Sequence, residues 1–423
     1  MDRFWRLLNT LFAIVAIGLL VAAIFVFRSR WQATFFSPQT AAPAAQATPT
    51  PAAQSERSNL SPLPTPTNAQ KPVWTAQDLR IVSDEPFVIN AFALGDSDEI
   101  DDPKWSPDGA SVIVNRTTGF EQINEKLLLP NQELWVLRLD GTGEFLGEST
   151  LAGEWSPNGQ QIAYLQRQPT TAEYSLWTRD RQTGSNRQIL NNSLQLKPLW
   201  LGNNSLLFPA EDGTVSATNT ESLSRAPITP VRAFVHQFQS SSLSLSPDGF
   251  WLAIRSVDNP NKLTVVATQG QGRPWIIPEG EWATYSVIIG SIAWSPDSSK
   301  LAFTGYNREV GDTIYVVEPA NQLRRHLNLQ THSDSSPGSS TPRSLSWSPD
   351  GNVLLFVARN ESNRVANLYI VNADGSGLRN INQNINLSVR TPAWSPDGKH
   401  ILYTTERDID RNEQFRIMAV APK

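Results

Sequence analysis

The sequence predicts an all-β protein, a seven-bladed β-propeller of four-stranded antiparallel blades, preceded by one transmembrane helix and a Pro-rich linker. Three observations support this prediction. A five-residue turn motif recurs seven times, short β-branched and aromatic runs follow each copy, and an uncharged apolar run stands near the N-terminus. The predicted segments are a tail at 1–6, the helix at 7–27, the linker at 28–72 and the propeller at 73–423.

The first element is the apolar run from Leu7 to Phe27, which contains no charged residue. A helix of this length spans about 30 Å of hydrocarbon. A cleaved signal peptide is the alternative, but its apolar core usually has only about 7–15 residues and ends at a small-residue cleavage site. Here the run ends in Phe-Arg-Ser-Arg-Trp, which favours an uncleaved single-pass anchor.

The linker follows as a stretch rich in Pro, Ala and Thr, with eight Pro between Ser37 and Pro72. Such a composition lacks the apolar residues that a core requires. It suits a semi-extended spacer that holds a domain away from a membrane. Because positive charges flank the helix on both sides, the linker is the observation that favours a propeller outside the cytoplasm.

Composition excludes several classes of function. The chain has no Cys, which rules out disulfides, thiolate metal sites and thiol catalysis. Its net charge is −5, and because residues 1–72 hold six basic and two acidic residues, residues 73–423 carry −9. This balance argues against nucleic acid as a partner.

The turn motif defines the blades. Its copies are WSPDG at 105–109, 347–351 and 394–398, WSPNG at 155–159, WSPDS at 294–298, LSPDG at 245–249 and the degenerate WLGNN at 200–204. Ser, Pro and Gly at these positions suit a type I turn. We assign structural roles to the motif residues, with each Trp packed against the neighbouring blade and each Asp in its turn: Trp105, Trp155, Trp200, Trp294, Trp347 and Trp394, with Asp108, Asp248, Asp297, Asp350 and Asp397.

Strands follow each motif at regular distances. The first begins directly after the turn, as in Ser111-Val-Ile-Val and Leu301-Ala-Phe-Thr, and another begins about 18–30 residues after the motif's first position, as in Leu134-Trp-Val-Leu. Four strands in a repeat of about 40–50 residues are typical of a propeller blade. The last repeat has only three strands, so we expect Leu79-Arg-Ile-Val to supply its fourth and to close the ring.

The repeat resembles the WD40-like repeats of the TolB family, as the WSPDG strings and the segment Val371-Asn-Ala-Asp-Gly-Ser-Gly-Leu-Arg show. The resemblance covers residues 73–423 and implies a propeller of a bacterial protein in the periplasm or outside the cell. Two departures limit what it implies. TolB resembles a six-bladed propeller that is preceded by a small α/β domain, whereas this chain has seven motifs preceded by a linker. TolB's lipoprotein partner is therefore not assigned to this protein.

The alternation of strand direction divides the loops between two faces. The motif turns and the third-to-fourth turns form what we call the short-turn face. The second-to-third and the blade-to-blade connections form the long-loop face, with variable segments at 117–131, 329–343, 359–366 and 406–413. Binding residues concentrate on variable loops over a rigid scaffold. The long-loop face is therefore the predicted binding face.

Candidate partner-binding residues are the apolar Leu127, Leu128 and Leu129 and the aromatic Trp282 and Tyr285, with packing inside the protein as the alternative for each. Weak metal candidates are Asp408, Asp410 and Asn412, whose alternate spacing occurs in calcium loops that also carry a Gly and a Glu absent here. The acidic run of Asp96, Asp98, Glu99, Asp101 and Asp102 fits a solvated loop.

The motifs of several enzyme classes are not found in the sequence. No G-x-S-x-G, H-E-x-x-H, P-loop or G-x-G-x-x-G pattern occurs, and the four His are scattered. We therefore predict a protein without catalysis or cofactor, which binds an envelope or secreted protein, a peptide or a glycan as a scaffold or sensor. The alternative is a metal-dependent, lactonase-like hydrolase with its site at the channel mouth.

Overall fold

A computed structural model describes most of the C-terminal five-sixths of the chain. The described residues are 74–87, 89, 91, 99–124, 127–168, 173–193, 197–209, 215–228, 243–255, 262–269, 275–277, 288–307, 311–327, 329, 342–359, 365–382, 388–408 and 413–422. They contain strands and turns and no helix. No membrane-spanning helix therefore occurs among them. The predicted helix at 7–27 and the linker at 28–72 lie outside these residues.

Seven four-stranded antiparallel sheets form the blades, which confirms the predicted fold class. Blade 1 is β2 (Glu99–Trp105), β3 (Ser111–Asn124), β4 (Leu127–Arg138) and β5 (Gly143–Glu148). Blade 2 is β6 (Thr150–Trp155), β7 (Gln161–Arg167), β8 (Tyr174–Asp180) and β9 (Asn186–Ser193). Blade 3 is β10 (Leu199–Trp200), β11 (Ser205–Pro209), β12 (Val215–Asn219) and β13 (Arg225–Ile228).

The remaining blades repeat this order. Blade 4 is β14 (Leu243–Leu245), β15 (Trp251–Arg255), β16 (Leu263–Ala267) and β17 (Trp275–Ile277). Blade 5 is β18 (Ile288–Trp294), β19 (Leu301–Asn307), β20 (Gly311–Glu318) and β21 (Leu323–Leu327). Blade 6 is β22 (Arg343–Trp347), β23 (Val353–Arg359), β24 (Ala366–Asn372) and β25 (Arg379–Asn380). Blade 7 is β26 (Val389–Trp394), β27 (His400–Asp408), β28 (Glu413–Pro422) and β1 (Leu79–Pro86).

The N-terminal strand closes the ring, as predicted. Strand β1 pairs antiparallel with β28 from Leu79 opposite Pro422 to Pro86 opposite Arg416. Asp84 accepts hydrogen bonds from the hydroxyl of Tyr403 at 2.6 Å and from Nε of Arg416 at 3.1 Å. The pairing covers the outer edge of β28, and β1 becomes the outer strand of blade 7.

The turn ahead of β1 wedges Trp74 between blades 6 and 7. Trp74 is only 2% exposed, and its ring centroid lies 5.9 Å from that of Trp394. Its backbone N–H donates to the motif carboxylate of Asp350 at 2.5 Å, and the N–H of Ala76 donates to Asn372 at 2.7 Å. The closure therefore includes a buried aromatic wedge as well as a strand pair.

The motif turns have the geometry that the sequence predicts. In blade 1 the N–H of Gly109 donates to the carbonyl of Ser106 at 2.8 Å, and Gly109 has a φ of 71°. The Ser106 hydroxyl donates to Asp108, and the same carboxylate oxygen accepts the N–H of Ala110 at 3.0 Å. The same Ser-to-Asp bond recurs at Asp248, Asp297, Asp350 and Asp397. Each of these carboxylates is thus bonded within its own turn.

The motif Trp residues connect neighbouring blades. Each indole N–H of Trp105, Trp155 and Trp200 donates to the carbonyl just before the motif of the preceding blade, at 3.0 to 3.2 Å. Trp294 and Trp347 make the same bond to Ser244 and Ala293. Trp394 packs between blades, but its indole N–H has no partner. These bonds add a polar link to the packing between neighbouring blades.

One departure from the motif is compensated by a contact between blades. In blade 5, Ser298 replaces the motif Gly and still adopts a φ of 61°, a conformation that costs free energy for a residue with a Cβ. Its buried hydroxyl accepts the backbone N–H of Asp248 in blade 4 at 2.9 Å. Ser298 therefore keeps the strained backbone conformation but adds a hydrogen bond between blades 4 and 5.

Candidate binding face

The short-turn face is occupied by structural contacts. The motif carboxylates are bonded within their turns, and Trp74 and Gln77 bring the N-terminal segment against the turns of blade 6. The chain that precedes the propeller therefore enters the ring on this face. The long-loop face lies on the opposite side of the ring.

The motif carboxylates predict how stability responds to acid. The Ser106 hydroxyl holds the pKa of Asp108 below its ordinary value. Burial alone would raise the pKa values of Asp297 and Asp397, but hydrogen bonds from Ser295 and Ser395 lower them. A carboxylate whose folded pKa is depressed stabilises the fold above its unfolded pKa, and this contribution is lost as pH falls through the folded pKa.

We therefore expect the free energy of unfolding to be flat between pH 7 and about pH 5 and to fall below about pH 4. Urea unfolding followed by tryptophan fluorescence measures it. The matched variant is Asp108→Asn, because Asn158 in blade 2 already makes the same turn bonds at 2.8 and 3.1 Å. This variant should keep its stability at pH 7 and lose less of it in acid. An acid profile identical to that of the unmodified protein would contradict the assignment.

The inner strands surround the channel and share a bulge. In β2, β6, β18, β22 and β26 the pairing with the next strand shifts register two to four residues before the motif Trp. Asp102, Ala152 and Ser344 occupy the same bulge position and have φ between 54° and 56°. A bulge of this kind changes the direction of the side chains at its position in the strand.

A charged cluster joins the inner strands of blades 1 and 2 to Lys197, which lies just before the inner strand of blade 3. The Nζ of Lys104 lies 2.7 Å from the Asp102 carboxylate and 2.5 Å from that of Glu154, and it donates to the carbonyl of Gly153 at 3.0 Å. Lys197 lies 2.8 Å from Glu154. Two cations and two carboxylates balance each other, so the cluster is electrically neutral.

Burial and pairing set the protonation states of this cluster. Burial alone would lower the pKa of Lys104, but the carboxylates of Glu154 and Asp102 outweigh it and raise the pKa above its usual value. Burial alone would raise the pKa of Asp102, but Lys104 and Lys197 bring it below its usual value. The charges of Lys104 and Asp102 therefore persist across the physiological pH range.

This cluster was not predicted from the sequence, in which the acidic run that contains Asp102 fits a solvated loop. Instead Asp102 lies in β2 and pairs with Lys104, although its side chain remains half exposed. A signal was present in the repeats. Lys104 and Glu154 both stand directly before the motif Trp in consecutive copies, so aligning the copies places opposite charges at the same position of neighbouring blades.

The most prominent feature of the long-loop face is a hairpin in blade 1. Strand β3 pairs with β2 only as far as Thr117, whereas it continues to pair with β4 from Phe120 opposite Pro130 to Asn124 opposite Leu127. Strand β4 pairs with β5 no further than Glu133. The segments 118–124 and 127–132, which we call the hairpin extension, therefore project beyond the described parts of both flanking strands.

Large apolar side chains on the extension are open to solvent. Phe120 is 68% exposed and Leu128 is 59% exposed, the two largest values among the large apolar residues of the described part outside β1. Because Gln122 lies opposite Leu128 and two residues beyond Phe120, Phe120 and Leu128 share one face of the extension. Exposed apolar residues that cluster in this way mark interaction sites.

Ion pairs fix the base of the extension. The guanidinium of Arg167 in blade 2 is buried and donates to the carboxylate of Glu121 at 2.6 Å, and Arg116 donates to Glu133 at 3.1 Å. A second contact between the same blades is made further out, where Arg179 and Arg181 both bond Glu144 of β5. Blades 1 and 2 thus form a firmly connected base beneath the hairpin.

The remaining predicted site residues have mixed outcomes. Of the leucine run, Leu128 is exposed and Leu129 half-buried, while Leu127 belongs to β4 but its side chain lies outside the described part. Asp408 is the last residue of β27, and its backbone lies opposite that of Glu413 in β28. Trp282, Tyr285, Asp410 and Asn412 lie outside the described residues. Within the described residues, no three or more His, Asp or Glu side chains form a group that could hold a metal ion.

Comparison with known families supports the repeat assignment. Residues 283–415 match the TolB beta propeller domain family, a range that contains the motif copies of blades 5, 6 and 7. The predicted resemblance to TolB-like repeats is confirmed there. No curated protein matches the sequence.

Comparison with solved structures shows the fold alone. An oligogalacturonate lyase from Vibrio parahaemolyticus superposes with a TM-score of 0.51 at 14% identity, over 81% of this chain and 98% of that one. An oligogalacturonate lyase in complex with manganese gives 0.51 at 12% identity, over 75% and 88%. An acylaminoacyl peptidase gives 0.50 at 14% identity, over 77% of this chain and 52% of that one. At such identities the likeness says nothing about activity.

Proposed function

We propose that this chain, whose last three blades match the TolB beta propeller domain, is a membrane-tethered binding protein that acts as a scaffold or sensor without catalysis of its own. The observation that carries the proposal is the hairpin extension, with Phe120 and Leu128 exposed together on the long-loop face. The partner is an envelope or secreted protein, a peptide or a glycan that docks on this face.

The division of roles between the faces supports the proposal. The short-turn face carries repeated turns whose polar groups are bonded internally, and it receives the chain from the N-terminus at Trp74. A tether entering there leaves the opposite face free for a partner. The predicted helix at 7–27 and linker at 28–72 would supply that tether and hold the propeller outside the cytoplasm.

The charged cluster of the channel favours binding over the hydrolase alternative. Lys104 has all three of its oxygen neighbours within 3.0 Å, and Glu154 is shared between Lys104 and Lys197. Groups engaged with one another in this way stabilise blades and are not held ready for a substrate. A catalytic role would require one of them to leave its partner.

Site-specific photo-cross-linking tests the docking face. A photoreactive amino acid at Leu128 in the full-length protein should cross-link a partner in intact cells. The same residue at Leu323, which is 54% exposed at a turn of the short-turn face, is the matched control and should give no such product. Equal cross-linking at both positions, or none at Leu128, would contradict the proposed docking face.

Protease treatment of intact cells tests sidedness separately. A propeller outside the cytoplasm becomes susceptible to cleavage in the linker once any outer barrier has been permeabilised, whereas a cytoplasmic control protein stays intact. Protection of the linker under those conditions would place the propeller inside the cell and overturn the proposed topology.

A further inference from the structure

We infer that the edge of β3 that faces away from β4 in the hairpin extension, which no described strand covers, accepts an extended segment of a protein partner as an additional β-strand, and that this segment alternates apolar with basic side chains. The inference rests on the proposed function and deepens it by specifying the chemistry of the partner. It follows from the backbone, the apolar side chains and the charge around the extension.

The backbone provides the first argument. Over residues 118–124 the only described strand beside β3 is β4, so the N–H and C=O groups on its other side have no strand partner in the described part of the chain. Such an edge is a template for strand addition. The β3 segment contains no Pro, whereas Pro130 removes a donor from the β4 segment, so β3 offers the more complete edge.

The exposed side chains provide the second argument. Phe120 and Leu128 lie diagonally across the two strands on one face of the extension. An added strand beside β3 would place every second side chain on that same face, next to Phe120. Apolar residues at alternate positions of the partner would bury the exposed apolar surface.

The charge around the extension provides the third argument, and it indicates that the polar side chains of the partner are basic. Arg116 and Arg167, the basic side chains at the base of the extension, are already neutralised by Glu133 and Glu121. Two acidic side chains nearby, Glu99 and Glu148, are exposed and have no ion-pair partner among the described residues. Glu99 lies opposite Thr117, where the described pairing of β3 with β2 ends, and Glu148 lies opposite Glu133. With a net charge of −9 over residues 73–423, the surroundings favour a basic segment.

A synthetic peptide tests the inference. The probe is a short fluorescent peptide in which Lys alternates with Val and Phe, titrated with the full-length protein in detergent at low salt. Fluorescence anisotropy should show saturable binding, and Phe120→Ser/Leu128→Ser should weaken it at least tenfold. Leu323→Ser, which removes an exposed leucine from the short-turn face, is the matched control and should leave the affinity unchanged. Unchanged melting temperatures establish that all variants are folded.

Two further peptides separate strand addition from simple attraction. A version with methylated backbone nitrogens keeps the charges and side chains but cannot donate to a strand edge, and it should not bind. A version with Glu in place of Lys should bind at least tenfold more weakly. On adding the parent peptide, hydrogen exchange of residues 118–124 should slow.

Several results would overturn the inference. Equal binding of the methylated peptide, equal binding to the double variant, or unchanged exchange at 118–124 would each exclude strand addition. Self-association that the double variant abolishes would assign the extension to a second copy of this chain. If no peptide binds but cross-linking from residue 128 still captures a partner, strand addition is wrong while the proposed function stands.

Discussion

Replacing Trp74 with alanine is expected to lower the melting temperature of the propeller by about 5 °C, because truncating a fully buried Trp costs about 3–5 kcal/mol. Trp74 is buried with Trp394, Val353 and other residues of blades 6 and 7, so the cavity would open at the junction that closes the ring. Differential scanning calorimetry measures the change.

Two matched variants identify the cause. The indole N–H of Trp74 makes no hydrogen bond, so Trp74→Phe keeps most of the packing and should cost much less than Trp74→Ala. Val82→Ala, at a position of β1 that is 60% exposed, should leave the melting temperature nearly unchanged. Deleting residues 73–84 removes the wedge and most of β1 and should destabilise the protein more than any single substitution. A deletion variant that melts like the unmodified protein would contradict closure by β1.

Replacing Lys104 with methionine is the substitution with the second largest expected effect, a loss of about 3 kcal/mol in the free energy of unfolding. Lys104 is 14% exposed and is held by two carboxylates and a carbonyl. Without the Lys104 ammonium, the partly buried carboxylates of Asp102 and Glu154 lose a cation that offsets their desolvation. The loss of such a partner lowers the free energy of unfolding. Urea unfolding at pH 7 measures the loss.

Two control variants for Lys104→Met change other ion pairs or remove a second member of the cluster. Arg325→Ala breaks a pair to Glu318 that is 3.9 Å long and half exposed, so it should change stability by no more than about 0.5 kcal/mol. The double variant Lys104→Met/Glu154→Leu removes both charges and should recover part of the loss. If Lys104→Met costs no more than Arg325→Ala, the cluster does not hold the blades together.

Repetition explains how much of the fold could be predicted. The copies of the motif at Trp105 and its successors placed the blades, the turns and the inter-blade aromatics, because each depends on residues within one repeat. The last repeat contains only three strands, so Leu79-Arg-Ile-Val could be predicted to supply the fourth. Strand β1 supplies it in the structure.

Features that break the repeat were harder to predict. Trp74 precedes the first repeat and has no counterpart in the others, so nothing local indicated its burial between blades 6 and 7. The extension at Phe120 depends on how far β3 outruns β2 and β5, which is a property of the pairing and not of composition. Phe120 itself was not among the predicted binding residues, although its cross-strand neighbour Leu128 was.

Hydrogen exchange of the full-length protein tests the central claim, a ring closed by its N-terminal strand, most directly. The account predicts that the amides of 79–86 that bond to β28 exchange as slowly as those in the central strands of blade 7, such as Ile401 to Thr404, and open together with them. Fast exchange at 79–86 while 401–404 remain protected would show that β1 is not part of the closed ring and would contradict the account.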